Sequence, residues 1–364
     1  MNYSGLLDRL SEIDPIAYGK TRNFTHGAVT QLSPYIARGV LDTKSILENI
    51  AGRGYSYYQA EKFVQQLAWR DYFQRVWQTH GVGINQDLKH PQDARFKKGL
   101  PLAISNSTTG IEVIDQSISA LQSKGYMHNH LRMYVAFLAC NLAGFHWKDP
   151  ARWMYYHLLD GDWGSNALSW QWVAGTFSNK MYIANQENIN HYTKTHQTGT
   201  YLDCSYEELA ELPSPSHLQN ADFEVLHTNL PAGSSLVIEE SLPTYIYNYY
   251  NLSPTWRSHE KGNRILLLEP GLFENYPVSD HCISFMIELA NEIPGIQIFV
   301  GSFDALKNFT KTSPLFYKEH PLNAHYTGNQ EARNWLIDSS DPVQVSFFSF
   351  WKKYERQIKK NYFS

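Results

Sequence analysis

The segment from Asp160 to Trp172 concentrates side chains that could act on a planar ligand. It reads Asp160-Gly-Asp162-Trp163-Gly-Ser-Asn166-Ala-Leu-Ser-Trp170-Gln-Trp172, with two carboxylates, an amide and three indoles. Asn166 and Trp170 are four residues apart, so they share one face of a helix. A planar ligand could meet both an amide and an indole there. Asp160 taken alone could equally be a helix cap, but the cluster as a whole favours a binding or catalytic site.

A second face lies on a long segment without Gly or Pro. Gln66, Trp69, Arg70 and Phe73 recur there at i, i+3, i+4 and i+7. A Trp beside an Arg can stack on a nucleobase or bind phosphate. Taken alone, the pattern favours an amphipathic helix that buries Trp69 and Phe73 and keeps Arg70 at its edge.

A third face is formed by Asn129, Arg132 and Met133, again at i, i+3 and i+4. Such residues are also ordinary at the start of a helix. A buried Arg normally pairs with a carboxylate, so an ion pair between Arg132 and Asp160 is another interpretation of these two residues.

Other signals exclude whole classes of protein. His128 and His130 point to different sides of a helix, so we predict no metal site there. Cys140, Cys204 and Cys282 are far apart, and three cysteines provide neither a disulfide framework nor the four thiolates of an iron–sulfur cluster. The chain has no HExxH motif, nucleophile elbow, Walker loop or GxGxxG motif. Hydrolase, kinase and ordinary dehydrogenase functions therefore lose support.

Composition sets wider limits. The 364 residues allow two domains, 43% hydrophobic residues allow a sizeable core, and 14% aromatic residues are unusually many. A net charge of −4 argues against a general nucleic-acid binder. However, residues 1–200 hold 19 Lys+Arg against 15 Asp+Glu, whereas residues 201–364 hold 12 against 20. A basic face on the first half therefore remains open. Neither a signal peptide nor a membrane span is recognisable, so we expect a soluble, cytoplasmic protein.

The elements that must position these residues are helices in the first half. Helices are predicted over 33–49 with Ser33 as N-cap, 57–80, 110–124, 128–142, 150–159 with Asp149 as N-cap, and from 166 onward. Residues 204–233 are rich in Pro, Ser, Asn and Glu and predict a linker with one short helix.

After the linker the pattern changes. Short apolar runs at 235–239, 264–269, 296–300 and 343–350 predict strands, with helices at 280–292 and 351–360. A strand–helix–strand order predicts a small parallel α/β domain. The basic segment 351–360 favours a solvated terminal helix over a nucleic-acid arm.

Four motifs occur in a fixed order along the chain. They are VTQLSPYIARGVL (29–41), LAWRDYF (67–73), TTGIEVIDQSISALQSKGYMHNHLRM (108–133) and LLDGDWGSNALSWQW (158–172). Together they resemble the helical FAD-binding domain of the DNA photolyase and cryptochrome family over residues 18–200. The resemblance implies a mostly α protein with three parts. These are a helical FAD-binding domain (1–203), a linker (204–233) and a small Rossmann-like α/β domain (234–364), interpreted as a relocated or degenerate antenna-like domain, since in the family an α/β antenna domain usually comes first.

The resemblance implies FAD bound in a folded conformation. The matching residues are Tyr18, the phosphate loop Thr30, Gln31, Leu32 and Ser33, the pocket residues Arg70, Asn129, Arg132, Asp160 and Asp162, and Asn166 facing flavin N5. Hydroxyls and backbone N–H groups at a helix start bind anions, which suits the phosphate loop. No residues match a pocket for a second, antenna chromophore.

The substrate implied by the resemblance is a cyclobutane pyrimidine dimer in damaged DNA, flipped into a pocket above the flavin and split by an electron from excited, fully reduced FAD. The matching lesion and DNA contacts are Arg22, Gln66, Trp69, Asn129, Met133 and Trp172. Trp170 matches the proximal and Trp147 the middle member of the family's electron-transfer chain, although both could simply be core residues. The terminal Trp of that chain would fall near residue 94, and the segment DARFKKG (93–99) has none.

Some positions depart from the family pattern. Gln66 stands where an acidic residue usually touches the lesion, and an amide donates a hydrogen bond but cannot transfer a proton. Val29 replaces a hydroxyl residue of the phosphate loop, and Ile104 stands where a Trp is common. Two hypotheses follow, a light-driven enzyme that repairs pyrimidine dimers and a cryptochrome-like photoreceptor without repair activity. A light-independent flavoprotein or nucleic-acid-binding module is a third.

Overall fold

The structure is a computed structural model that describes residues 2–233 and 235–363. Its internal contacts divide the chain into two compact units, which are described separately. The first unit combines residues 1–19, 30–81 and 227–364, and the second combines residues 20–29 and 82–226. Because these units interleave along the chain, they do not coincide with the predicted segments 1–203, 204–233 and 234–364. That division into domains stays a prediction.

Helices dominate the chain, and one parallel sheet lies in its last third, as the predicted fold class requires. The sheet consists of β1 (Thr244–Tyr247), β2 (Asn263–Leu268), β3 (Ile296–Val300), β4 (Leu315–Lys318) and β5 (Asn329–Glu331). Its strand order is β3-β2-β1-β4-β5, and every pairing is parallel. Ile246 at the centre lies opposite Ile265 on one side and Tyr317 on the other. Helices Pro270–Asn275, Asp280–Ala290 and Phe303–Thr310 alternate with the strands.

Two of the four predicted strands are confirmed and two are wrong. Residues 264–269 and 296–300 form β2 and β3. Residues 235–239 are not a strand, because Leu236 and Ile238 pack against the core while the backbone of Val237 bonds the side chain of Gln297. Residues 343–350 lead instead into the helix Phe347–Tyr362. The sequence analysis missed β1, β4 and β5, which are only three or four residues long.

One further prediction is wrong for the helices of the first unit. Besides the three helices that alternate with the strands, this unit contains Tyr3–Ser11, Pro15–Thr21 (whose last two residues belong to the second unit), Ser33–Ala37, Thr43–Gly52, Tyr57–His80 and Phe347–Tyr362. The predicted helix 33–49 is therefore two helices. Ser33 is its first residue and not its cap, Leu32 holds the cap position, and Asp42 caps the second helix by accepting a 2.8 Å hydrogen bond from Ser45 N.

The break between these two helices places residues 38 and 39 against the segment that follows β1. Gly39 has a φ of +68°, and a Cβ there would lie 2.6 Å from the Tyr250 carbonyl oxygen. The buried guanidinium of Arg38 lies 3.6 Å from the Tyr249 ring centroid and donates a 3.2 Å hydrogen bond to the Tyr249 carbonyl. Leu252 N donates in return to the Arg38 carbonyl at 2.8 Å. Neither a helical continuation nor a side chain at residue 39 is compatible with this contact.

The terminal helix Phe347–Tyr362 packs against the long helix Tyr57–His80. The rings of Trp69 and Phe347 stack with centroids 3.7 Å apart and an interplanar angle of 12°. Tyr57 donates a 2.8 Å hydrogen bond to Glu355.

Asp71 of the long helix accepts hydrogen bonds from Arg75 at 2.9 Å and from Leu336 N at 3.0 Å. Burial nevertheless raises the pKa of Asp71.

The second unit is a cluster of short helices. They are Leu102–Ser105, Glu112–Lys124, Asn129–Ala136 with a π-helical continuation Phe137–Leu142, Lys148–His157, Trp163–Val173, Gln186–Thr193 and Tyr206–Ala210, with 3-10 turns at Gly81–Asn85 and Ser216–Leu218. Leu100–Pro101 pairs antiparallel with Ala221–Asp222, inside the predicted linker. Asp149 is not an N-cap, because the helix begins at Lys148 and Asp149 accepts a hydrogen bond from Gly99 N. Throughout 2–233 and 235–363, no helix is long and apolar enough to cross a membrane.

The close approach at Gly39 can be tested by adding one methyl group. Gly39→Ala should lower the free energy of unfolding by about 2 kcal/mol, because the new Cβ meets the Tyr250 backbone at a positive φ. Gly52→Ala is the matched control, since nothing lies within 4 Å of a Cβ at that position, and it should change the value by less than about 1 kcal/mol. Urea unfolding followed by circular dichroism measures both. Equal losses in the two variants would contradict the proposed steric cause.

Candidate functional site

The cluster at 160–172 forms a capped helix in the second unit. Asp162, not Asn166, marks its start, because the Asp162 carboxylate accepts a 2.8 Å hydrogen bond from Ser165 N and the helix runs from Trp163 to Val173. A carboxylate at this position satisfies a helix N–H and complements the helix dipole. The cap considered for Asp160 is thus supplied by Asp162.

Asn166 and Trp170 lie on one face of this helix, as their spacing predicts. Asn166 Nδ2 donates a 2.8 Å hydrogen bond to the Ala151 carbonyl, which fixes the plane of its amide. Trp170 is buried, and within residues 2–233 and 235–363 its Nε1 has no hydrogen-bond partner. The same holds for the buried Oγ of Ser165. Buried polar atoms without partners are costly, so this helix offers hydrogen bonds that a polar ligand could satisfy.

Arg132 and Asp160 form the predicted ion pair. Arg132 Nη2 lies 3.0 Å from Asp160 Oδ1 and 2.9 Å from Oδ2, and Arg132 Nε donates to the Met127 carbonyl at 2.8 Å. Only 20% of the arginine side chain and 8% of the aspartate side chain are exposed. The pair joins the helix Asn129–Ala136 to the turn that precedes Asp162.

The two histidines of this region have separate partners. His128 Nδ1 accepts a 3.2 Å bond from His130 N, and burial lowers the pKa of His128 to about 4. His130 Nδ1 lies 2.8 Å from the Asn23 carbonyl, and its Nε2 lies 3.3 Å from the Tyr182 hydroxyl. In the part of the chain that the structure describes, no three His, Cys, Asp or Glu residues are grouped to hold a metal ion.

Four further residues of the second unit are accessible to a partner. Trp172 is 38% exposed, with its ring centroid 6.2 Å from that of Tyr182. Asn129 is exposed, and Met133 and Arg22 are partly exposed. Arg22 donates a 3.1 Å hydrogen bond to Asn23 Oδ1.

Trp147 is fully buried and has a partner that the sequence analysis did not single out. Its Nε1 donates a 2.6 Å hydrogen bond to Asp87 Oδ1, and its ring centroid lies 6.5 Å from that of Trp163. Trp163 donates to Asn85 Oδ1 at 2.8 Å. Asp87 precedes Trp147 by 60 residues in an irregular segment, so no local pattern connects the two.

Three predicted residues of the first unit share the helix Tyr57–His80. Gln66, Trp69 and Arg70 are all partly exposed. Phe347 covers one face of the Trp69 ring, and the ring centroids of Phe73, Tyr72 and Phe348 lie 5.2, 6.1 and 6.3 Å from that of Trp69. The amphipathic-helix interpretation thus holds for Phe73, which is buried, and only in part for Trp69.

The predicted phosphate loop of the first unit is held by local contacts. Gln31 adopts a left-handed backbone with φ 53°, and its side chain accepts a 2.9 Å hydrogen bond from Arg9. Thr30 Oγ1 accepts from Leu32 N at 3.3 Å, and Leu32 is buried. Tyr18 packs edge-on against Phe63 at 5.0 Å.

Comparisons with known proteins bear on this site. The family model described as the FAD binding domain of DNA photolyase matches residues 63–249, just over half of the chain. A deoxyribodipyrimidine photo-lyase of Alkalihalophilus pseudofirmus is 29% identical over 197 residues, which cover 50% of this chain and 39% of the relative. A chloroplastic/mitochondrial cryptochrome DASH of Ostreococcus tauri is 32% identical over 217 residues, covering 56% and 39%.

A solved cryptochrome structure from Synechocystis aligns with 25% identity and a TM-score of 0.47, covering 60% of this chain and 48% of that one. The matches to the photo-lyase of Alkalihalophilus pseudofirmus and the cryptochrome DASH of Ostreococcus tauri each span about two fifths of the relative's length.

The ion pair can be tested by removing its carboxylate. Asp160→Ala should lower the free energy of unfolding by about 3 kcal/mol, because it leaves the mostly buried Arg132 guanidinium without a counter-charge. Asp93→Ala removes the exposed partner of Arg95 and should leave the unfolding midpoint unchanged. Urea titrations of both variants against the parent protein measure the difference, and a parent-like midpoint for Asp160→Ala would show that the pair does not stabilise the fold.

Proposed function

Since this chain belongs to the DNA photolyase and cryptochrome family, we propose that it is a light-driven FAD enzyme that splits cyclobutane pyrimidine dimers in DNA. One observation carries the proposal. The Arg132–Asp160 pair directly precedes the helix Trp163–Val173, on which Asn166 and Trp170 share one face and the buried Ser165 Oγ and Trp170 Nε1 have no hydrogen-bond partner in the described part of the chain. A flavin is planar, largely apolar and rimmed by hydrogen-bonding atoms, so these residues fit its requirements.

The family resemblance implies which residues would hold FAD. They are Tyr18, Thr30, Gln31, Leu32, Ser33, Arg70, Asn129, Arg132, Asp160, Asp162 and Asn166. The chemistry that bound FAD supplies is one-electron donation under blue light. A second, antenna chromophore finds no matching residues, and none is proposed.

The chain's own residues bind and orient the cofactor. Asn166 is held by its bond to Ala151, so its amide would approach the flavin at N5 with a fixed plane. Asp160 holds the Arg132 guanidinium, which would stabilise negative charge gained by the ring system. The hydroxyls and N–H groups of 30–33 would bind the phosphates, and the Arg9 contact fixes Gln31 for that purpose.

The lesion would be bound by stacking and by hydrogen bonds. Trp172 is 38% exposed and Trp69 is partly exposed beside Phe347, and indoles stack on bases without requiring one sequence. Asn129 and Met133 would contact the dimer, and Arg22 the DNA backbone. Gln66 would donate a hydrogen bond to the dimer radical, although it cannot give the proton that an acid could.

A photoreceptor of the cryptochrome type is the second candidate. Gln66 in place of an acid and the excess of acidic residues in 201–364 favour it. The relatives include proteins named as photo-lyases and as cryptochromes DASH, so their names favour neither candidate.

Repair can be measured directly. Reduced, FAD-containing protein under blue light should remove dimers from single-stranded or double-stranded DNA, and the same mixture in the dark should not. The rise in ultraviolet absorbance as the pyrimidine double bonds re-form, or chromatography of the digested DNA, gives the rate. A protein that binds FAD and photoreduces it but leaves dimers intact would favour the photoreceptor. A preparation that neither contains nor takes up FAD would contradict both candidates.

The role of Gln66 has its own test. Gln66→Glu should raise the repair yield per photon, because a carboxylic acid can transfer a proton to the dimer radical and an amide cannot. Gln66→Ala is the control and should lower the yield, since it removes the hydrogen bond altogether. Equal yields for the parent and Gln66→Glu would show that this position does not limit repair.

A further inference from the structure

Three buried tryptophans of the second unit differ in the partner of their indole nitrogen. Trp147 donates to the carboxylate of Asp87 at 2.6 Å, Trp163 donates to the neutral amide of Asn85 at 2.8 Å, and the nitrogen of Trp170 has no partner in the described part of the chain. A hydrogen bond to a carboxylate is shorter and stronger than one to a neutral acceptor. Trp147 alone of the three therefore has a base in direct contact with its N–H.

The carboxylate of Asp87 is held in place by a small network. Its Oδ2 accepts a 2.8 Å hydrogen bond from Gln92 N, and Gln92 Oε1 in turn accepts from Trp147 N at 3.0 Å. His146 Nε2 lies 3.4 Å from Asp87 Oδ1. The Asp87 side chain is 12% exposed and that of His146 is 27% exposed, so the network leads from the buried indole toward water.

We propose that Asp87 is the proton acceptor for oxidised Trp147. The proposal rests on the proposed function, because it takes Trp147 and Trp170 as electron carriers to the flavin. Bound FAD would supply the photoexcited oxidant, Trp170 would give it one electron, and Trp147 would give one electron to Trp170. The Nε1–H bond of the Trp147 radical cation then breaks. Its proton goes to Asp87 Oδ1 and its bonding electron pair stays on the nitrogen, which leaves a neutral indolyl radical and a carboxylic acid.

The remaining steps restore the site. Asp87, whose side chain is 12% exposed, gives the proton to water, and an external thiol returns one electron and one proton to Trp147. An indolyl radical without its proton is a weaker oxidant than the radical cation, so back transfer of the electron is slowed. This function is what a terminal tryptophan would serve, and the segment 93–99 provides none. Asp87 thereby gives a two-tryptophan chain a way to retain separated charge.

Asp87→Asn tests the proposal, because the amide oxygen still accepts the indole hydrogen bond but does not take the proton. Transient absorption of the FAD-containing protein should show a deprotonated tryptophan radical in the parent and a protonated one in the variant. Back transfer should be several-fold faster in Asp87→Asn, and the yield of reduced flavin with a thiol present should fall several-fold. Asn85→Ala, which removes a hydrogen-bond partner of Trp163 and leaves Asp87 in place, should behave as the parent does.

Two measurements do not depend on Asp87→Asn, and the second of them needs no flavin. In the parent, loss of the radical's proton should be slower in D₂O. In flavin-free protein with ¹⁵N-labelled tryptophan, the Trp147 N–H, assigned with Trp147→Phe, should be strongly deshielded and slow to exchange. An unchanged radical in Asp87→Asn, no isotope effect, or a chain that takes up no FAD would each overturn the proposal. A protein that photoreduces FAD but does not split dimers would contradict only the repair function.

Discussion

A buried arginine and a glycine with no room for a side chain hold the first unit together. The Arg38 guanidinium lies over the Tyr249 ring and donates to the Tyr249 carbonyl, the Arg38 carbonyl accepts from Leu252 N, and Gly39 lies against the Tyr250 backbone. A guanidinium without exposure is tolerated only where aromatic and carbonyl groups replace water. This contact ends the helix at Ala37, sets the start of the next one, and thereby positions the helices that lead to Trp69.

Tyr250, which contacts Gly39, also lies near the point where the strand order of the sheet reverses. Strand order reverses between β1 and β4, and doubly wound sheets bind ligands in the crevice beyond the carboxyl ends at such a point. Here His320, two residues after β4, stacks on Tyr250 at 4.3 Å and meets the Trp77 ring edge-on at 4.7 Å. Burial holds the pKa of His320 well below its usual value. Side chains of the chain itself thus pack at the place where a nucleotide would lie in such a sheet.

Local patterns predicted what local physics controls. The helix Tyr57–His80 follows from its spacing, and the Arg132–Asp160 pair follows from the expectation that a buried charge is neutralised. The sequence analysis could not anticipate the break at Gly39, because its cause lies at Tyr250, more than 200 residues away. The hydrogen bond from Trp147 to Asp87 was also not predicted, because its two residues are 60 positions apart in the sequence. The strand predicted at 235–239 failed because an apolar run that covers a core looks like one that pairs in a sheet.

The interleaving of the two units has a consequence for biosynthesis. All residues of the second unit precede residue 227, whereas the first unit needs residues 1–81 and 227–364 together. On a ribosome, the second unit is therefore complete while the N-terminal helices still lack their sheet. During that interval Arg38 and Trp77 have no aromatic partners, and their surroundings expose apolar surface of the kind that chaperones bind. The order of synthesis therefore completes the second unit before the first unit can form its sheet.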